Sequence, residues 1–370
     1  MSDRRAFLGS LAAGALALRT ARAQEPPPAP PRPRRRIRFA AIGLNHAHIN
    51  GQADAVIGGG GELVSFFAVE RDLVKAFGAR YPTARLAKSE QEILDDASIQ
   101  LVVSAAIASE RAPLGLRVMR HGKDFMPDKP GITSLEQLAE VRRVQAETRR
   151  IYSICYSERL GNRATVRAGE LVKAGAIGRV LQTIGLGPHR MNAPTRPEWF
   201  FDKGRAGGIL ADIGSHQLDQ FLFFTGSTRA EVVAAQSGNL AHPQYPKIDD
   251  FGEVMVRGDG GTGYVRVDWF TPDGLATWGD GRLTILGTEG YIELRKYIDV
   301  AGRAGGDHLF LVNQKETRYV DCHGQELPYG RQLVDDVLDR TETAMPQAHC
   351  FLATELALLA QQKAEEKPLK

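Results

Sequence analysis

The chain of 370 residues is poor in cysteine and has no long apolar run. Its three cysteines, Cys155, Cys322 and Cys350, are too few and too odd in number for a disulfide framework. No stretch reaches the roughly 18 apolar residues of a membrane-spanning helix. A content of 43% hydrophobic and 25% charged residues is typical of a globular protein. The length is sufficient for two domains.

The body of the chain also lacks an excess of positive charge. Residues 1–36 hold eight arginines against two acids, a charge of +6, which leaves −3 for the rest within a total of +3. Nucleic-acid binding relies on a basic surface that neutralises phosphates. The acidic body therefore argues against a nucleic-acid partner.

The first 23 residues have the parts of an export signal. Arg4 and Arg5 precede an uncharged apolar stretch over residues 7–18, and Ala21 and Ala23 supply the small residues of a cleavage site. Adjacent arginines followed by Phe-Leu resemble a twin-arginine signal, which exports folded proteins. We expect a signal peptide over residues 1–23 and a periplasmic protein. The alternative is an uncleaved amphipathic leader.

A segment rich in proline and arginine follows over residues 24–36. Proline at this density favours an extended polyproline conformation and excludes a helix. The segment is therefore interpreted as a linker, or as an arm that reaches over a neighbouring subunit.

Residues 37–150 alternate between buried-strand and helix patterns. Apolar runs at 37–43, 63–70 and 99–107 predict strands, and a shorter one is predicted at 123–128. Helices are predicted between them, one of which begins with a capping pattern at Ser89 and Glu92. This alternation predicts a Rossmann-type α/β domain with a doubly wound parallel sheet.

Residues 151–370 have a different pattern. Strand candidates at 180–187, 231–238, 252–258, 261–271, 281–288 and 290–296 are separated by Gly, Asp and Pro at hairpin-like intervals. We expect an α+β domain with a large, mostly antiparallel open sheet, helices on one face and two amphipathic helices at the C-terminal end.

The turn after the first strand only partly fits a dinucleotide site. Such a site needs a glycine turn and a helix N-terminus for the pyrophosphate. Gly43 is in place and Leu44 follows it, but Asn45 and His48 occupy the next two glycine positions of G-x-G-x-x-G. Asparagine tolerates the left-handed conformation that such a turn requires.

An acidic residue follows the second strand, where a carboxylate would hold ribose hydroxyls. Glu70 lies there, 27 residues after Gly43, and Arg71 beside it is suited to a 2′-phosphate. The choice between NAD and NADP therefore stays open. His46 and His48 form an H-x-H pair, but no third ligand lies at a fixed spacing, so no metal site is predicted and both are expected to bind the cofactor as part of the nucleotide turn.

Two longer segments resemble a known family. Residues 121–130, HGKDFMPDKP, resemble the GKHVxxEKP segment of the glucose–fructose oxidoreductase, inositol dehydrogenase and rhizopine-catabolism (Gfo/Idh/MocA) family. Residues 207–219, GGILADIGSHQLD, resemble its GGGxxxDxGxHxxD segment. Flanking matches lie at 174–179 and 278–290. In this order and spacing, the chain after residue 36 is identified as a member of that family.

The resemblance implies a nicotinamide-dependent oxidoreductase that acts on a sugar, polyol or glycoside. Lys129, followed by Pro130, matches the lysine beside the nicotinamide and the substrate hydroxyl. His216 matches the acid/base, and Asp212 matches a carboxylate that positions substrate or tunes the histidine. Histidine suits proton exchange near neutrality, and a lysine stabilises alkoxide character. The chain departs from the family at residues 107–111, which lack its Pro-Asn and His.

Substrate contacts are expected ahead of and around this second segment. Aromatic rings stack on sugars, and cationic or imidazole groups bond hydroxyls. The candidates are Arg159, His189, Arg190, Trp199 and Lys203. Because free nicotinamide nucleotide is scarce outside the cytoplasm, an exported enzyme is expected to retain its NAD or NADP. A homo-oligomer is expected by analogy. The competing hypothesis is a non-catalytic sugar- or nucleotide-binding scaffold with a degenerate dinucleotide site.

Overall fold

A parallel sheet is formed by the first part of the chain in the computed structural model, which describes residues 36–369. Its five strands lie in the order β3-β2-β1-β4-β5, and every neighbouring pair is parallel. The strands are β1 (Ile37–Ile42), β2 (Gly61–Phe67), β3 (Arg85–Leu86), β4 (Leu101–Ser104) and β5 (Asp124–Pro127). The strand order reverses between β1 and β4, and ligands bind at such a switch point in open α/β sheets.

Four helices connect these strands, as parallel pairing requires, and a fifth follows β5. They are α1 (His48–Gly59), α2 (Arg71–Arg80), α3 (Glu90–Asp95), α4 (Ala108–Arg120) and α5 (Leu135–Thr148). The capping pattern predicted at α3 is confirmed, since the Ser89 side chain accepts a hydrogen bond from the N–H of Glu92. Ser134 caps α5 in the same way through the N–H of Gln137.

A second, eight-stranded sheet follows in the order β13-β12-β11-β10-β6-β9-β8-β7. All neighbours are antiparallel except β6 and β9, which are parallel. The strands are β6 (Val180–Pro188), β7 (Ala230–Gly238), β8 (Phe251–Gly258), β9 (Thr262–Asp268), β10 (Arg282–Gly287), β11 (Gly290–Arg295), β12 (His308–Asn313) and β13 (Thr317–Val320). The predicted fold class is therefore confirmed.

The helices of the second half either cover one face of the eight-stranded sheet or pack against the helices of the parallel sheet. They are α6 (Ser157–Leu160), α7 (Arg163–Lys173), α8 (Lys203–Ala206), α9 (Ser215–Thr225), α10 (Tyr329–Asp339) and α11 (Gln347–Glu365). A π-turn over Leu210–Gly214 leads directly into α9. Helix α10 packs on α1, and α11 packs on β7, α9 and α5. The last two helices therefore join the layers of both sheets.

The region after β4 differs from the sequence prediction. The strand ends at Ser104 instead of continuing to residue 107, because the chain turns there and begins α4 at Ala108. Pro113 lies inside this helix and cannot donate to the carbonyl of Ser109. The side chain of Gln137 donates to that carbonyl instead, at 3.0 Å. Strands β12 and β13 were not predicted.

The predicted signal peptide and all but the last residue of the proline- and arginine-rich segment lie outside the described residues. In the described part of the chain, no helix has the length and apolarity needed to cross a membrane.

Candidate functional site

The turn between β1 and α1 lies at the switch point of the parallel sheet. Gly43 has a left-handed φ of 77°, and a Cβ there would lie 2.5 Å from the Cβ of Ala106. Only glycine fits this position without displacing Ala106, which follows β4. The Gly43 N–H donates to the carbonyl of Phe67 and its carbonyl accepts from Ala105, at 3.0 and 3.1 Å. The turn is thereby fixed between both neighbouring strands.

The turn ends at a helix start that is suited to an anion. Ala47, at the N-cap of α1, has no side chain that could cap the first N–H groups. Leu44 is buried beneath the turn. Asn45 donates from Nδ2 to Oε1 of Glu70 at 2.6 Å, and Arg71 is exposed beside Glu70. Asn45 does not adopt the left-handed conformation considered from the sequence, since Gly43 alone supplies it in this turn.

The two histidines of the turn face the end of β5. Nδ1 of His46 lies 3.3 Å from Oδ2 of Asp128, and Nδ1 of His48 lies 3.0 Å from Oδ1. Burial lowers the pKa of His46 to about 4. Burial also opposes ionisation of Asp128, but the charges of His48 and Arg111 outweigh it and hold the pKa of Asp128 well below its usual value. Asp128 was not among the predicted site residues.

Arg111 connects this carboxylate to the lysine segment. Its guanidinium is buried, lies 3.3 Å from Oδ2 of Asp128, and donates to the carbonyls of Ala106, Lys129 and Pro130 at 2.7, 2.6 and 3.1 Å. These bonds position the backbone that carries Lys129. Arg111 was missed because it lies in the stretch that departs from the family segment.

The three residues predicted to carry the chemistry line one cavity. Nζ of Lys129 donates to Oδ1 of Asp212 at 2.8 Å. Burial would raise the pKa of Asp212, but Lys129 lowers it below its ordinary value. His216 is 2% exposed, and burial lowers its pKa to about 3. No hydrogen bond joins Asp212 to His216 in the described part of the chain, so the carboxylate acts on the lysine.

The π-turn presents Asp212 to Lys129. The N–H of Leu210 donates to Oε1 of Gln361 at 3.0 Å, and Nε2 of the same glutamine donates to Asp249 at 2.8 Å. Gly208 has a left-handed φ of 81°, and a Cβ there would lie 2.4 Å from Cδ of Gln361. Helix α11 therefore holds the π-turn in place through Gln361.

We call the space bounded by these residues the central cavity; its volume is about 300 Å³. It lies between the carboxyl edge of the parallel sheet and the second sheet. Of the predicted residues it is lined by His46, His48, Lys129, Pro130, His189, Arg190, Trp199, Asp212 and His216. Further lining residues that were not predicted are Arg111, Glu158, Asn192, Arg196, Trp269 and Trp278.

Glu158 brings a buried negative charge to the central cavity. Its Oε2 accepts from Nζ of Lys296 at 2.7 Å and from Nε2 of Gln217 at 2.8 Å. Burial opposes its ionisation, but Lys296 overcomes this and lowers the pKa of Glu158. The other oxygen, Oε1, is buried without a hydrogen-bond partner, and so is Nδ1 of His216. Buried polar atoms without partners are rare in folded proteins.

Two predicted substrate residues do not reach the central cavity. Arg159 makes two hydrogen bonds to Asp219, at 2.7 and 2.8 Å, and its guanidinium lies 4.7 Å from the ring centre of Phe223. Lys203 pairs with Glu365 at 3.2 Å, and it lies outside the lining of the cavity. Both cations are engaged by nearby carboxylates outside the lining of the central cavity.

Comparisons with known proteins agree with this architecture. Residues 165–293 match the model of the GFO/IDH/MocA C-terminal domain. The chain is 48% identical to a candidate oxidoreductase of known structure from Erwinia carotovora atroseptica SCRI1043, with a TM-score of 0.86 and coverage of 89% of this chain and 98% of that one. A levoglucosan dehydrogenase solved with NADH and levoglucosan has the same fold, at 18% identity, a TM-score of 0.73 and coverage of 90% and 98%.

Curated relatives are more distant. The scyllo-inositol 2-dehydrogenase (NADP(+)) IolW of Bacillus subtilis is 25% identical over 48% of this chain and 49% of its own length. The D-xylose dehydrogenase of Paenarthrobacter nicotinovorans is 22% identical over 39% and 38%. The chain thus matches half or less of these relatives. Taken with the matched C-terminal domain and the 48% identical structure, these similarities establish that the chain belongs to the GFO/IDH/MocA family.

Proposed function

We propose that the protein is a nicotinamide-dependent oxidoreductase that transfers a hydride to or from a carbon bearing a hydroxyl of a sugar or polyol. The observation that carries the proposal is the central cavity, where Lys129 paired with Asp212 faces the buried His216. Relatives described as scyllo-inositol and D-xylose dehydrogenases support a hydroxylated substrate.

NAD or NADP fits the turn after β1. The left-handed Gly43 leaves no room for a side chain, α1 begins without a side-chain cap, and Glu70 lies at the end of β2. Gly43, Leu44, Asn45 and the start of α1 would hold the pyrophosphate, and Glu70 or Arg71 would meet the ribose. When bound, the nicotinamide supplies the hydride acceptor or donor.

The protein's own groups handle the proton and the developing charge. Lys129 would donate to the substrate oxygen and stabilise its alkoxide character, while Asp212 keeps the ammonium group in place. Burial keeps His216 neutral, so it would accept the hydroxyl proton when the alcohol is oxidised and return it when the carbonyl is reduced. The charge of Glu158 raises the pKa of the histidine and opposes the effect of burial. The unpartnered Nδ1 of His216 and Oε1 of Glu158 are available to substrate hydroxyls.

We extend the proposal to the setting of the enzyme. Residues 37–150 form the nucleotide-binding domain, and residues 151–370 bind substrate and form a homo-oligomer. Residues 1–23 direct the folded protein to the periplasm by the twin-arginine pathway. There the cofactor is retained through the cycle, because free nucleotide is scarce.

The test uses the full chain purified from its export pathway. Native mass spectrometry and absorbance should detect bound nucleotide, and sugars or polyols such as inositol and xylose should change the absorbance of its nicotinamide. Lys129→Ala should reduce the rate of that change by about 100-fold or more. Sugar binding without nucleotide, and without turnover on the panel, would replace the proposal with a binding scaffold.

A further inference from the structure

We propose that His46, His48 and Asp128 bind one divalent transition-metal ion, such as Zn²⁺, at the rim of the central cavity. Two of the side chains come from the turn after β1 and the start of α1, and the third follows β5. Strand β4 lies between β1 and β5 in the parallel sheet. Nitrogen and carboxylate oxygen ligands of this kind suit zinc and neighbouring first-row metals.

The distances between the ligand atoms fit a coordination sphere. One imidazole nitrogen from each histidine faces the same carboxylate, at 3.3 Å for His46 and 3.0 Å for His48. Metal–ligand bonds of about 2.0–2.2 Å place neighbouring ligand atoms roughly 3 Å apart. All three donor atoms lie within 4.8 Å of one another. Small side-chain rotations are then sufficient to enclose an ion.

Bonds to the surrounding backbone hold the ligands in this arrangement. The N–H of Asp128 donates to the carbonyl of Ser104 at 2.7 Å, and the N–H of His46 donates to the carbonyl of Ala105 at 3.0 Å. Arg111 contacts Oδ2 of Asp128 at 3.3 Å and orients the carboxylate. Such outer contacts position metal ligands and are part of the site.

The charges around the cluster mean that a bound metal ion would favour a further ligand that is an anion or a hydroxyl group. Arg111 balances Asp128, and Asp212 balances Lys129. A dication would therefore add an uncompensated positive charge beside the central cavity. Water ionises more easily on such a metal, and a substrate hydroxyl would bind it as alkoxide more readily.

The cluster is open on the side that a ligand would use. His46 and His48 both line the central cavity, and the side chain of His48 is 43% exposed. His48 and Asp128 also line a second cavity of about 930 Å³ on the other side of α1's start. Three protein ligands with an accessible remaining position are the layout of catalytic metal sites, whereas structural sites are closed.

Metal binding does not depend on hydride transfer, so it is tested separately. The full chain is stripped with a chelator, dialysed with Zn²⁺ and analysed for metal content, and Co²⁺ titration is followed by its visible d–d absorption. We expect about one ion per chain. His48→Ala and Asp128→Asn should weaken binding at least 10- to 100-fold. His323→Ala, which removes an exposed histidine outside the cavity, is the matched control and should bind as the wild type does.

Two results would overturn the site. The first is the absence of stoichiometric uptake by the wild type, which would mean that Asp128 serves only as a polar and charged neighbour of the two imidazoles. The second is equal uptake by the wild type and His48→Ala. His48 is partly exposed, so its variant is expected to fold, and circular dichroism verifies this.

Discussion

Lys129 and Asp212 form an ion pair whose two members are almost entirely withdrawn from solvent. Their side chains are 6% and 18% exposed, and Nζ lies 2.8 Å from Oδ1. Removing one member of such a pair leaves the other charge buried and unpaired, which costs more than an exposed ion pair contributes. The pair is therefore a sensitive point for both stability and turnover.

Asp212→Asn keeps the shape of the side chain and removes its charge. We expect a loss of roughly 1–3 kcal/mol in the free energy of unfolding and a fall in kcat/KM of about 100-fold. Denaturant unfolding and steady-state kinetics measure the two effects. Arg143→Met is the control, since its pairs with Glu140 and Glu147 are exposed and lie outside the central cavity, so their loss should leave turnover unchanged. Unchanged turnover in Asp212→Asn would contradict the role given to this pair.

Three histidines around the central cavity predict acid sensitivity. Burial lowers the pKa of His46 and His189 to about 4 and that of His216 to about 3. In the unfolded chain they titrate near 6.5, so the unfolded state binds more protons below that pH. The folded protein is therefore most stable, as far as these histidines are concerned, above about pH 6.5. The free energy of unfolding falls as the pH decreases from 6.5 toward the pKa values of the folded state.

The expected loss is on the order of 1–2 kcal/mol per histidine by pH 5. Thermal unfolding between pH 8 and pH 5 measures it. His189→Asn should flatten the pH dependence of Tm, whereas His323→Asn should not, because His323 is exposed. A Tm that is independent of pH over this range is the contrary result.

At the scale of single elements, the turn after β1 depends on one glycine. Gly43 combines a φ of 77° with a Cβ position that overlaps Ala106. Gly122 has a similar φ of 74° but open space around its Cβ position. Comparing alanine substitutions at the two glycines therefore distinguishes the cost of backbone strain from the cost of steric overlap.

Gly122→Ala should cost only the left-handed strain, roughly 1–2 kcal/mol. Gly43→Ala should cost that strain and about 1–3 kcal/mol of overlap in addition, and it should weaken nucleotide binding because the turn must move. Denaturant unfolding and nucleotide titration measure both. Equal effects of the two substitutions would mean that the turn adapts without disturbing the nucleotide site.

Elements with strong local patterns could be predicted from the sequence. Apolar runs identified β1, β2 and β5, and the resemblance of residues 121–130 and 207–219 to family segments identified Lys129, Asp212 and His216, which line the central cavity. What could not be predicted depends on contacts distant in sequence. Glu158 acquires its role from Lys296, 138 residues later. Asp128 meets His48 across 80 residues, so a search for ligands at fixed spacing does not find it.

At the scale of the whole molecule, helix α10 packs against α1, the first helix of the described residues. Helix α10 packs on α1 so closely that a Cβ at Gly330 would lie 1.9 Å from the carbonyl oxygen of Ala55. The described residues, 36–369, belong to one compact unit. The contact between these helices is therefore expected to contribute to the cooperativity of unfolding.

Gly330→Ala should reduce the free energy of unfolding by roughly 1–3 kcal/mol or more, because two helices must separate. Gly324→Ala, with open space around its Cβ position, is the matched control. Circular dichroism and tryptophan fluorescence should give coincident transitions in the variant. Two separate transitions would show that the parallel sheet unfolds without the second sheet.

The positions of the aromatic residues have an experimental consequence. The chain has three tryptophans, Trp199, Trp269 and Trp278, and all three line the central cavity. His189 lies against two of them, with ring centres 5.5 and 4.6 Å from Trp269 and Trp278. The tryptophan emission of the unmodified protein therefore originates entirely at the candidate site. Candidate sugars, nucleotides and metal ions can be screened by their effect on that emission without attaching a dye.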